Sequence, residues 1–191
     1  MNRRRDLLLA LPLLALGRAA AAAADEAAWR ELAAGGCAVL LRHAQTIDGI
    51  GDPPGFRLDD CSTQRNLSAA GREQARSIGI GFERRGIAVD EVLSSRWCRC
   101  LDTARLAFPR HRVRPFETLD SFFADGSTRQ AQTDALRAWL ARQGSTRRIV
   151  LVTHQVNIVA LTGQSVGMGE ALLVRLGTAD AGRLLGRLGM D

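Results

Sequence analysis

Cys37-Ala38-Val39-Leu40-Leu41-Arg42-His43 and Ile149-Val150-Leu151-Val152-Thr153-His154 are two short apolar runs, each delivering a histidine at its carboxyl end. Runs of this length, bounded by turn signals such as Gly35-Gly36, read as buried strands. In an open α/β sheet the carboxyl ends of parallel strands form the crevice where ligands bind. Two imidazoles and the Arg42 guanidinium, brought to that edge from distant parts of the chain, imply one assembled site. The arginine points to anion chemistry, and phosphate above all.

Working outward, residues 25–34 read as a short helix carrying Trp29 and Leu32, broken at Gly35-Gly36. Residues 47–65, rich in Gly, Pro and Asp, form a long loop directly after the first histidine, for which a flap over the site and a plain surface connection are both open. Ser68 is an N-cap for a helix whose Ala75, Ile78 and Phe82 make an apolar stripe. Arg72, Glu73, Arg76 and Glu83 take its other face, and Gly86 stops it. A strand at 91–93, a helix at 99–107 ended by Pro109 and a strand at 112–116 follow. Ser127-Thr128-Arg129-Gln130 matches a capping box for a helix that buries Leu136, Trp139 and Leu140 before Gly144. A helix at 156–161 and closing strands at 171–176 and 183–190 complete the pattern. Strands alternating with helices imply an α/β fold, a mainly parallel central sheet with helices on both faces.

The opening Met1-Asn2-Arg3-Arg4-Arg5-Asp6, the apolar stretch from Leu7 to Leu16 and the Ala-rich run to Ala24 have the three parts of a secretory signal. The apolar stretch is too short to span a bilayer, which needs about 20 residues. Arg4-Arg5-Asp6-Leu7-Leu8 is also similar to the twin-arginine export pattern, so that route and an ordinary export route both stand. Residues 1–24 are therefore expected to be an export leader, and residues 25–191 one domain, periplasmic or secreted, with no membrane span once the leader is removed. Arg3, Arg4, Arg5, Arg18 and Asp6 leave with it, so the formal net charge falls from +6 to +3. All 26 basic side chains are arginine, they alternate with acids along the helices, and aromatics make up only 5%. That is a mixed solvated surface, without the basic stripe and aromatic platforms of a nucleic-acid binder.

Four stretches in order resemble the histidine phosphatase superfamily, also called phosphoglycerate-mutase-like. They are LLRHAQT (40–46), NLSAAGREQAR (66–76), SSRWCRCLDTA (94–104) and LVTHQVN (151–157). The resemblance implies a phosphatase hydrolysing phosphate monoesters through a phosphohistidine on His43, with Arg42, Arg99 and His154 around the phosphoryl oxygens. No metal and no cofactor are implied. The partner would be a phosphorylated small molecule or an envelope glycan or lipid phosphate. The residues support those roles independently: a neutral imidazole is a competent nucleophile near pH 7, and phosphoryl transfer chiefly requires positioning and cationic stabilisation. Thr46 and Asn157 are further candidate substrate-binding donors. His111, in a polar connection, is expected to be solvated.

Many members carry a glutamate as proton donor in a Leu-x-Glu context, and here Ser121 falls at that place. Asp125 is the preferred substitute, with Asp120 and Glu117 as alternatives. Ala44 and Gln155 also stand where glycines are usual. A non-catalytic phosphate-ligand binder on the same scaffold and a phosphomutase remain the rival readings. Of the four cysteines, Cys61 is expected to bridge to Cys98 or Cys100, on either side of Arg99, and so hold that arginine in place. Cys37 reads as a buried strand residue, and no C-x-x-C pair suggests zinc.

Overall fold

The computed structural model describes residues 23–177 and 179–190. The leader expected over residues 1–24 lies, except for its last two positions, outside the described residues. Among the described residues six strands form one sheet in the order β3-β2-β4-β1-β5-β6. They are β1 (Cys37–Arg42), β2 (Glu91–Ser94), β3 (Arg114–Pro115), β4 (Arg148–Thr153), β5 (Ala171–Arg175) and β6 (Leu184–Leu188). β1, β4, β2 and β3 run parallel, and β5 and β6 add an antiparallel edge. The helices are α1 (residues 23–34), α2 (Ala69–Arg84), α3 (Cys98–Ala107), α4 (Arg129–Ala141) and α5 (Gln155–Thr162). No helix among the described residues is long and apolar enough to cross a membrane.

Both faces of the central strands are buried, which is why they read as continuous apolar runs rather than alternating ones. Along β1, Cys37, Val39 and Leu41 join one core with Trp29 of α1, Ile78 and Phe82 of α2 and Ala104 of α3. Ala38 and Leu40 join the opposite core with Leu136 and Leu140 of α4 and Ile158 and Leu161 of α5. Helices therefore cover both faces, as expected from the sequence. The turn between α1 and β1 uses Gly35 and Gly36 at φ 90° and 74°, a left-handed backbone that favours glycine.

Two expectations are corrected. The strand expected at 112–116 shrinks to Arg114–Pro115 at the sheet edge, because its partner β2 ends at Ser94, whose carbonyl accepts from the Phe116 N–H at 2.8 Å, and the chain then turns into a 3-10 turn (Glu117–Leu119). The capping box expected at Ser127 is not formed. Asp125 instead accepts from the Ser127 N–H at 2.9 Å, caps a 3-10 turn (Gly126–Thr128), and α4 begins only at Arg129.

Ser68 does cap α2, its Oγ accepting from the Gly71 N–H at 3.0 Å, while the Ser68 N–H donates to the Gln45 carbonyl. This seats the start of α2 on the segment just after His43. Gly71 is required there by space: a Cβ would stand 1.8 Å from the Gln45 carbonyl oxygen. Gly71→Ala is expected to destabilise the protein by about 1–3 kcal/mol through overpacking. A urea midpoint equal to that of the wild type would contradict this seating.

Candidate active site

β1 and β4 end in step, with Arg42 opposite Thr153 and the His43 N–H donating to the Thr153 carbonyl at 3.0 Å. His43 and His154 consequently stand side by side, their ring centroids 5.5 Å apart at 65°. Each is 3% exposed. They line a cavity of about 540 Å³ together with Arg42, Arg65 and Arg99. Arg42, His43, Arg99 and His154, singled out in the sequence, are brought together.

The tautomer of His43 follows from its partner. Nδ1 lies 2.9 Å from the Ala44 carbonyl oxygen, which can only accept, so Nδ1 carries the hydrogen and Nε2 keeps its lone pair. Burial pushes the His43 pKa down to about 3; the charges of Arg99, Arg42 and Arg65 add to this, and the Ala44 hydrogen bond only partly opposes it. At neutral pH the ring is uncharged, with the Nε2 lone pair unused. His154 is likewise held well below its usual range, first by burial and then by the charge of Arg99.

A buried chain orients His154. Its Nδ1 faces the Arg99 guanidinium at 3.5 Å, a pure donor, so Nε2 carries the hydrogen and donates to Ser95 Oγ at 2.8 Å. Ser95 Oγ donates in turn to Asp120 Oδ1 at 3.2 Å. Burial raises the Asp120 pKa, opposed by Arg96, whose backbone N–H and Nε donate to its two oxygens at 2.8 and 2.6 Å. The Cys100 thiol packs behind the ring, Sγ 3.4 Å from Nε2, and burial pushes it up to about 12, so it stays protonated.

The loop at 47–65 forms one wall of the cavity, which resolves the alternatives left by its sequence. It carries Asp52, whose Oδ1 accepts from Arg99 at 2.7 Å and from the Arg65 N–H at 3.0 Å, and whose Oδ2 accepts from Trp97 Nε1 at 3.0 Å. Burial alone would raise the Asp52 pKa, but these bonds override it and hold the carboxylate below its usual range. The loop also carries Arg65, which donates to Thr46 Oγ1 at 2.8 Å and to the Gly49 carbonyl at 2.7 Å. The Nε groups of Arg42, Arg65 and Arg99 are buried with no acceptor among the described residues. Three guanidiniums against one carboxylate make this a place for an anion.

Several expected roles are corrected. Asp125 is exposed and spends its carboxylate on the Ser127 N–H, away from the cavity lining. Asp120 is committed to Ser95 and Arg96. Glu117 is exposed and reaches only Arg96, at 3.8 Å. None of the three carboxylates lines the cavity; Ser121 does. Thr46 also lies outside the lining and serves to hold Arg65. Asn157 donates to the Asp120 carbonyl at 2.9 Å, fixing the 117–121 turn rather than facing the cavity. His111 sits apart, its Nε2–H donating to the Val89 carbonyl. Sequence reasoning missed Arg65, Asp52 and Ser95. Ser95, inside the SSRWCRCLDTA stretch, was the one with a local cue.

Cys61 is bridged to Cys98, one of the two pairings expected. The bridge ties the loop to the first residue of α3, next to Arg99. The Cys98 N–H also donates to Gln64 Oε1 at 3.0 Å, a second tie between the same two segments.

No family model matches the sequence, and no curated protein matches it significantly. The fold is similar to several solved structures. The protein histidine phosphatase SixA complexed with tungstate superposes with a TM-score of 0.58 at 14% identity, covering 81% of this chain and 97% of that one. The alpha-ribazole phosphatase from Shigella flexneri gives 0.54 at 18% identity, covering 81% and 99%. A mycobacterial glucosyl-3-phosphoglycerate phosphatase with inorganic phosphate gives 0.53 at 20% identity, covering 72% and 88%. The chain has the phosphoglycerate-mutase-like fold of histidine phosphatase superfamily members.

Two measurements check this construction. The unfolded chain takes up protons on its histidines near the ordinary value of 6.5, whereas His43 in the folded site resists protonation down to about 3. Stability is therefore unaffected by this ring above the ordinary value and falls as pH drops from there toward the folded value. The urea midpoint should be lower at pH 5 than at pH 7, and less so in His43→Gln. Equal pH dependence in the two proteins would contradict a buried neutral imidazole. Replacing Cys61 and Cys98 by alanine should cost about 2–4 kcal/mol of stability, since the bridge closes a loop of sequence separation 37. It should also weaken binding of inorganic phosphate measured by calorimetry, because Asp52 and Arg65 lose their tether to α3. Unchanged binding would contradict that coupling.

Proposed function

We propose that this protein is a phosphatase that hydrolyses phosphate monoesters through a phosphohistidine on His43. The carrying observation is the Ala44 hydrogen bond, which leaves the His43 Nε2 lone pair free beside three arginines. The kinship in fold with phosphatase structures supports the general activity.

In the first step Nε2 adds to phosphorus and the bond from phosphorus to the ester oxygen breaks. The leaving group departs with the electron pair and takes a proton from water. In the second step water adds to phosphorus, the P–N bond breaks, and the ring regains its lone pair as inorganic phosphate leaves. The guanidiniums of Arg42, Arg65 and Arg99 stabilise the charge on the equatorial oxygens in both steps. His154 is neutral in the free site. An arriving phosphate dianion favours its protonated form, and the Ser95–Asp120 chain shares that positive charge. α5 begins immediately after His154, and its first residues line the cavity, so its positive end adds to the same field.

The domain is also proposed to act after export, as the basic, apolar and Ala-rich leader at 1–24 indicates. The Cys61–Cys98 bridge supports this, because such bonds persist in oxidising compartments.

Acid-quenched wild type incubated with a labelled phosphomonoester should retain acid-labile label, and His43→Ala should retain none. Label on both, or on neither across a broad panel of phosphomonoesters, would overturn the nucleophile. His154→Ala should lower turnover on the order of 10²–10³-fold, the loss typical of removing one transition-state donor.

A further inference from the structure

The charged floor of the cavity has an apolar mouth. Only four large hydrophobic residues are exposed among the described residues, and two of them, Ile50 (90%) and Phe123 (59%), line this cavity from different loops. Phe56, Trp97 and Met168 continue the same wall toward the guanidiniums. Phe56 and Trp97 are in tilted contact, their ring centroids 5.7 Å apart, and Trp97 meets the His154 ring edge-on at 5.4 Å, so the apolar surface runs right up to the imidazoles. Exposed apolar side chains at the rim of a polar pocket mark a surface that a ligand covers.

The acids say something complementary. Asp52 is the single carboxylate among the lining residues, and all of its hydrogen bonds go to Arg99, Arg65 and Trp97. It is therefore not free to donate a proton to a leaving oxygen. A polyhydroxylated leaving group would find no acid, and little beyond Ser121 and Gln155, to receive its hydroxyls.

We infer that the substrate is a phosphate monoester whose leaving group is apolar immediately beyond the ester oxygen, held by Ile50, Phe123, Phe56 and Trp97. This rests on the phosphatase reading above and narrows it to amphipathic phosphates, aryl or alkyl. Aryl esters also suit a site without a free acid, since a phenolate departs more readily than an alkoxide.

Two series test it. In 4-alkylphenyl phosphates the leaving-group acidity is nearly constant while apolar length grows, and n-alkyl phosphates give the linear counterpart. kcat/KM should rise roughly twofold to fourfold per added methylene over the first few. The rise should flatten in Ile50→Ser and Phe123→Ser. It should persist in Ile80→Ser, which removes an exposed isoleucine of α2 outside the cavity. The steeper series identifies the aryl or the alkyl group. Hydrolysis of every member with no length dependence overturns the inference and leaves the phosphatase reading standing. A length dependence untouched by Ile50→Ser and Phe123→Ser overturns the assignment to this mouth. Hydrolysis of no member overturns the reading and the inference together.

Discussion

The hydrogen bond from the His43 N–H to the Thr153 carbonyl continues the pairing of β1 and β4 beyond its final register pair, and the site depends on it. It places two residues from opposite halves of the chain at the same height on the sheet edge. A register slip would carry Arg42 and His43 along the strand and exchange the faces to which β1 side chains point. The packing of β1 and β4 opposes this, because a one-residue slip would put each core side chain against the wrong helices and a two-residue slip would draw Arg42 into the apolar core or Gly35-Gly36 into the strand. The packing of the core thus sets the spacing of the two imidazoles.

Concentrating three guanidiniums around two buried histidines is electrostatically unfavourable for the fold. The depressed histidine pKa values are one sign of that, since burial and neighbouring arginines both oppose further positive charge. The structure offsets it with one well-bonded carboxylate: Asp52 with Arg99 is a buried pair in which both partners are further hydrogen-bonded, the condition under which such a pair is tolerated. The Cys61–Cys98 bridge and the Gln64 contact secure the loop that brings Asp52 and Arg65. The phosphate group of the proposed substrate would supply the negative charge that this site's lining lacks.

His43, Arg42, Arg99 and His154 were legible in the sequence because strand ends and the flanking motifs fix where such residues must fall. The sheet and its two helical layers were legible for a related reason, the apolar runs of β1 and β4 and the stripe of α2. Arg65 and Asp52 were not, because the 47–65 loop has no periodicity from which to deduce which side chains turn inward. Asp125 was misread for a local reason: a carboxylate two residues before a free N–H folds back on it, so its apparent approach to the cavity was spent on a turn. The choice between Cys98 and Cys100 needed the helix itself. Two residues apart on α3 they differ by roughly 200° in direction, so one faces the loop while the other packs behind His154.

The most direct test of a single anion site built on His43 is a crystal structure of the wild-type protein with orthovanadate. Expected is vanadium bonded to the His43 Nε2, with its oxygens received by Arg42, Arg65, Arg99 and His154. Vanadate held elsewhere, or held in the cavity by the arginines with the His43 ring turned away, would contradict the account.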